Sequence, residues 1–240
     1  MKIIAHRGAR GYEPENTLAA FKRALEIGVD GIELDVYVLK TGELVVIHDI
    51  MVNRTTTGDG YVADFNFDEL RKLDAGNGQK VPTLAEVIEL VDKKVPIFIE
   101  LKAVGTAAPV AKLLNEYLQK GWSKDDFEVI SFNHVEIAAF KQACPDVPVG
   151  LSVSSIPTDY CAFAKDMGVN SVMLCVEFLT PDFVKDAHDA GITVNAFTGE
   201  PFNCDRQSEI ERIEQLGVDG FASDRPDVAR KHLAKTVATA

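Results

Sequence analysis

Cysteine is scarce and scattered in this chain. Its four residues, Cys144, Cys161, Cys175 and Cys204, form no C-x-x-C pair. That spacing argues against a zinc knuckle or a dithiol redox centre and leaves reduced, packed thiols in a reducing compartment as the expectation. Long apolar runs are missing too, since none approaches the ~20 residues of a membrane span. The amino terminus, Met1-Lys2-Ile3-Ile4-Ala5-His6, turns polar too early for a secretory signal, so a cytoplasmic protein is expected. Basic residues are in deficit, with 25 Lys and Arg against 37 Asp and Glu and a formal net charge of −12. So acidic a chain is poorly matched to nucleic acid or to an anionic membrane, both of which attract cationic patches.

What is present suffices for a sizeable core: 240 residues, 46% hydrophobic and 26% charged, a length that one α/β barrel commonly fills. Short β-branched runs alternate with longer amphipathic ones. Strands are expected at Ile3–Ala5, Gly31–Val38, Ile97–Leu101, Glu128–Ser131, Pro148–Ser152, Ser171–Cys175, Ile192–Phe197 and Gly220–Ala222, with Leu44–Ile47 as an extra strand after the second. Between them lie helical patterns. The first carries Leu18, Phe21, Ala24 and Leu25, with Asn16 expected as its cap and Gly28 as its stop. Later ones cover Pro82 to Val91, Ala107–Lys120, Val135–Ala143, Thr158–Met167, Pro181–Ala190, Arg206–Leu216 and Pro226–Ala234. Eight βα units favour a single (β/α)8 TIM barrel over residues 1–240, with its site at the carboxyl ends of the strands; an open doubly wound sheet is the alternative. The stretch from about 50 to 81 breaks the rhythm and reads as a small insertion after the second unit, over the barrel mouth.

The most informative run is Ile32–Val36. Glu33 and Asp35 alternate with apolar residues, so in a strand both acids face one side. Two buried negative charges on one face call for a neutraliser. Glu33, Asp35 and Glu100 form an oxygen-rich set suited to one Mg²⁺ or Ca²⁺, the plainer reading being an internal ion network with Arg7 and Lys102. His6 and His48 close two of the apolar runs. Such a pair can serve as general base and general acid, ligate a metal, or sit as satisfied polar core groups. His134, His188 and His232 fall in helical patterns and read as structural. Arg7 can grip a phosphate through its planar fork and Lys102 can add a point charge, unless Arg7 is simply paired with Glu15. Phe197, ending the seventh unit's strand, offers an apolar wall.

His6-Arg7-Gly8, Pro14-Glu15-Asn16-Thr17, Glu33-Leu34-Asp35, His48-Asp49, Pro82-Thr83-Leu84 and Glu100-Leu101-Lys102 resemble, in order and spacing, the motifs of the glycerophosphodiester phosphodiesterase family. The resemblance continues through Ser131-Phe132, Val194-Asn195-Ala196-Phe197 and Ser223-Asp224-Arg225-Pro226. It implies a (β/α)8 barrel with an inserted segment, a divalent cation on Glu33, Asp35 and Glu100, His6 and His48 as acid and base, and Arg7 and Lys102 on the phosphate. The implied reaction hydrolyses small-molecule glycerophosphodiesters to sn-glycerol 3-phosphate and an alcohol. Apart from the resemblance, the acidic composition leads us to expect no stable membrane association, and a homo-oligomer is left open. Phe197 departs from the tryptophan that many members carry. A phospholipase relative, a phosphate receptor and a sugar-phosphate isomerase are the competing readings, separable by glycerol 3-phosphate release with and without EDTA.

Overall fold

A computed structural model of the chain describes residues 1–156, 160–199 and 205–239, apart from the side chains of Cys161 and of residues 234–239. Eight parallel strands close on themselves: β1 (Lys2–Ala5), β2 (Gly31–Val38), β4 (Ile97–Leu101), β5 (Phe127–Ser131), β6 (Val149–Val153), β7 (Ser171–Cys175), β8 (Thr193–Phe197) and β9 (Gly220–Ser223). Closure is made by β1, which pairs with β9 on one side and β2 on the other. The extra strand β3 (Leu44–Val46) hangs antiparallel on β2. The fold is therefore the (β/α)8 barrel expected from the alternating pattern.

Helices α1 (Leu18–Ile27), α3 (Leu84–Val91), α4 (Ala107–Gln119), α5 (His134–Ala143), α6 (Tyr160–Met167), α7 (Pro181–Asp189), α8 (Gln207–Gln215) and α9 (Pro226–Thr239) wrap the barrel, with a one-turn α2 (Phe67–Leu70) in the insertion. Their ends follow local chemistry. Thr83 and Glu86 form a reciprocal capping box at α3, and Thr180 caps α7 ahead of Pro181. Gly28 ends α1 in the left-handed region at φ 84, which only glycine enters without cost. The cap of α1 is Thr17, whose side chain accepts from the Ala20 N–H, and not Asn16 as local preference suggested. Helix α4 has no side-chain cap of its own; Glu136 of α5 accepts from Gly105 N at 2.9 Å and Ala107 N at 2.8 Å instead.

Strand alternation divides the core. Ile3, Ala5, Ile97, Ile99, Val129, Val172 and Leu174 face outwards into the layer packed under the helices. Their neighbours Ile4, Phe98, Ile130 and Met173 face inwards and fill the barrel, with Phe197 against them. A separate cluster joins Tyr37, Val45 and Ile47 to Val52, Val62 and Leu70 of the inserted segment, so the insertion rests on the β2–β3 hairpin. Cys144 and Cys175 are free and buried. Thr158, expected to start α6, and Cys204 lie outside the described residues, as does the side chain of Cys161. The last helix runs on to Thr239 rather than stopping at Ala234.

Candidate active site

The alternation that sends Ile32, Leu34 and Val36 outwards turns Glu33 and Asp35 into the barrel. Strand register sets Asp35 beside Glu100 on β4. One carboxylate oxygen from each of Glu33, Asp35 and Glu100 lies within 4.8 Å of the other two. All three residues are buried. Burial, with the charges of Asp35 and Glu100, pushes the Glu33 carboxyl well above the usual carboxylate range. Burial and the Asp35 charge raise Glu100 to about 7. Asp35 goes the other way, because Lys102 and Arg7 outweigh its desolvation.

Available cations do not satisfy this set. Lys102 Nζ donates to Glu100 Oε1 at 2.8 Å and sits 3.4 Å from Asp35 Oδ1. The second contact is an ion pair without hydrogen-bond geometry, so Asp35 Oδ1 remains buried and without a hydrogen bond. Asp35 Oδ2 accepts from Asn16 Nδ2 at 2.8 Å and lies 3.5 Å from Arg7 Nε. Three converging carboxylates, one with an orphaned oxygen, are a donor set that fits a hard divalent cation. The geometry allows this and equally records the ion pairs with Arg7 and Lys102 that the simpler reading anticipated.

Arg7 and Asn16 reach these positions through unusual backbone. Both lie in the left-handed region, at φ 54 and φ 56, which bulky L-residues seldom occupy unless their surroundings fix them. The turn lets Arg7 N donate to Glu33 Oε2 at 2.9 Å and Asn16 N donate to Arg7 O at 3.0 Å. Gly8 follows at φ 76, where a Cβ would come within 2.7 Å of the Ala20 backbone. Tight packing of this turn on α1 therefore excludes any side chain at Gly8.

Both histidines present the same pattern. His6 Nδ1 lies 2.8 Å from Asp224 Oδ1, and His48 Nδ1 lies 2.7 Å from Asp49 Oδ1. A carboxylate at Nδ1 favours a proton there and leaves Nε2 as the exchangeable nitrogen. Burial lowers both imidazoles below their ordinary range, against the pull of Asp224 at His6 and of Asp35 and then Asp49 at His48; the Arg7 charge adds to the lowering at each, and Lys102 does so at His48. Asp224 is held down to about 2, because His6 and Arg10 outweigh its desolvation.

His6, Arg7, Glu33, Asp35, His48 and Glu100 all line one cavity of about 280 Å³ at the carboxyl end of the barrel. Its apolar side is Phe197 against Phe132, ring centroids 5.7 Å apart and nearly perpendicular. Lys102 lines a neighbouring groove that shares Glu100 and Phe132 with this cavity. Among the other histidines, His134 meets Ser152 O at 3.2 Å and His188 meets Asp219 at 2.7 Å. The Arg7–Glu15 pair anticipated from sequence forms, at 2.9 Å; sequence reasoning missed Asp224, Arg10 and Arg54 as parts of the same charge network, and Asn16 as a partner of Asp35.

Three comparisons bear on this site. The family model described as glycerophosphoryl diester phosphodiesterase family matches residues 6–228. A glycerophosphodiester phosphodiesterase of Caldanaerobacter subterraneus is 38% identical over 237 residues, covering 94% of this chain and 94% of that protein. Another, from Bacillus altitudinis, is 33% identical and covers 96% of this chain and 97% of its own length. Among solved structures, a phosphodiesterase of Oleispira antarctica in complex with the product sn-glycerol-3-phosphate superposes with a TM-score of 0.89 at 30% identity, covering 98% of this chain and 97% of the other.

Proposed function

Since the chain belongs to the glycerophosphoryl diester phosphodiesterase family and is an enzyme of that activity, we propose that it cleaves glycerophosphodiesters to sn-glycerol 3-phosphate and an alcohol by a cation-dependent route with His6 and His48 as the proton-transfer pair. The observation that carries this reading is the meeting of two histidine–carboxylate pairs and three converging carboxylates around one cavity.

Glu33, Asp35 and Glu100 would hold the cation, Mg²⁺ or Ca²⁺, and when bound it supplies positive charge opposite the phosphodiester oxygens. The remaining work belongs to side chains of the chain itself. Arg7, whose buried Nε makes no hydrogen bond within the protein, holds a phosphate oxygen and meets the charge that grows there during displacement. Lys102, bound to Glu100 and near Asp35, adds a point charge at the same end. One imidazole takes the proton from the attacking hydroxyl, that of water or the 2-hydroxyl of the glycerol moiety, as its oxygen bonds to phosphorus; by the second route a cyclic phosphate forms, which water then opens to glycerol 3-phosphate. The other gives a proton to the departing alkoxide as its P–O bond breaks. Phe197 and Phe132 form the wall for the carbon chain of the glycerol moiety.

The test is release of glycerol 3-phosphate from glycerophosphocholine, with and without EDTA. His6→Ala and His48→Ala should each lose about 10²–10⁴-fold in kcat. Near-normal turnover in both variants refutes the assignment, and turnover indifferent to EDTA removes the cation from it.

A further inference from the structure

Among the described residues, the inserted segment brings one side chain to the lining of the cavity, Arg54. Its hydrogen bonds run to two different carboxylates. Nε and Nη2 donate to Asp49 Oδ2 and Oδ1 at 2.7 and 2.9 Å. Nη1 and Nη2 donate to Glu15 Oε2 and Oε1 at 2.9 and 2.8 Å. Each of those carboxylates in turn supports a group on the other side. Asp49 Oδ1 also meets His48 Nδ1 at 2.7 Å, and Glu15 Oε1 also accepts from Arg7 Nη1 at 2.9 Å.

Lone pairing of exposed charges contributes little, but this is a network with fixed angles. A guanidinium carries five N–H donors in one plane, and Arg54 uses four of them here. That leaves a single donor for a substrate, so its geometry suits holding neighbours better than gripping phosphate. The network extends past Glu15, which lies 3.8 Å from Arg10, while Arg10 Nε is 2.8 Å from Asp224 and Asp224 meets His6. Supports of both imidazoles thus belong to one line of ion pairs, in which Arg54 joins Asp49 to Glu15.

We infer that Arg54 is a positioning residue of this enzyme, its one guanidinium fixing the His48 ring through Asp49 and the Arg7 fork through Glu15. This rests on the roles given above to His48 and Arg7. Its consequence is that the insertion, rather than the barrel, sets the spacing between proton transfer and phosphate binding. A displacement of about 1 Å in such a constellation can cost 10²-fold in rate.

The two arms have separate kinetic signatures. Asp49→Asn should lower kcat with KM little changed, and Glu15→Gln should raise KM. Arg54→Met should do both, with kcat/KM down by about 10²-fold, and Arg54→Met combined with Asp49→Asn should have the kcat of Asp49→Asn alone. Free guanidinium should restore part of the activity of Arg54→Ala. Arg54→Lys, able to reach one carboxylate at a time, should keep one of the two effects, and it carries the test if Arg54→Met does not fold. Without substrate or cation, the ¹⁵N spectrum of the His48 ring should show one tautomer in the wild type and a mixture in Arg54→Met. Wild-type turnover and the two histidine variants decide the functional reading by themselves. Unchanged kcat and KM in Arg54→Met or Arg54→Lys, additive losses in the double variant, or an unaltered His48 spectrum overturns the positioning role.

Discussion

His6 Nδ1 and Asp224 Oδ1, separated by 218 residues of sequence, lie 2.8 Å apart across the seam where β1 closes on β9. The pair is shielded, with side-chain exposures of 11% and 22%. An amide at residue 224 can turn its N–H₂ towards Nδ1 and favour the wrong tautomer. Asp224→Asn should therefore lose about 10²–10⁴-fold in kcat, the range of lost acid–base catalysis. Substrate KM should stay near wild type, because the contact to substrate is not removed. Steady-state kinetics with a thermal melt checks this, and full kcat in a folded variant rules out the pairing as functional.

Cation binding should depend on pH in a definite direction. Without a cation, the Glu100 carboxyl lies at about 7 through burial and the Asp35 charge, and Glu33 is raised as well. From the ordinary glutamate value of about 4.3 up to 7, the folded chain keeps a proton that the unfolded chain has released. Stability of the cation-free protein should fall across that window. Bound cation needs the ionised carboxylates, so its affinity should drop as pH falls below about 7. Calorimetric melts with Mg²⁺, with Ca²⁺ and with EDTA should show a larger stabilisation at about pH 8 than at about pH 5. An equal gain at both values counts against these ligands.

Glu136 offers a stability test away from the cavity. Its buried carboxylate accepts from Gly105 N and Ala107 N, doing for α4 what its own first residues do not. Glu136→Ala leaves two donors unpaired at a helix start and should cost about 2–3 kcal/mol. For a chain of this size that corresponds to about 2–4 °C in Tm per kcal/mol. Kinetic constants should not move at permissive temperature. A variant as stable as wild type means that water replaces the carboxylate.

The barrel was legible because most strands are short apolar runs rich in β-branched residues and many of the helices begin at Thr or Asn and end near Gly. Glu33 and Asp35 were legible for a similar reason: acids at alternate positions in an apolar strand have no structural use without a partner. The surrounding network was not. Arg54 and Glu15 stand 39 residues apart, and no periodicity joins residues that meet only when the insertion folds over the first βα loop. Asn16 shows tertiary structure overriding local preference. Asparagine is a favoured helix cap, yet Asp35 claims its side chain and the cap passes to Thr17.

That exchange at Asn16 gives the sharpest separation of backbone from side-chain effects. Its φ of 56 suits Asn and Gly better than other residues. Its Nδ2 donates to Asp35 Oδ2 at 2.8 Å, which fixes the carboxylate plane and so the direction of the other oxygen, Oδ1. Asn16→Gly keeps the backbone and deletes the bond, so cation affinity should fall by about 10–100-fold, as when an orienting partner of a ligand is lost. Asn16→Ala deletes the same bond and also strains the turn, which should make it about 1 kcal/mol less stable than Asn16→Gly. Calorimetric cation titration and urea unfolding measure the two effects separately. If Asn16→Gly binds the cation as tightly as wild type, Asp35 is oriented by Arg7 and Lys102 alone, and the bond from Asn16 serves only the fold.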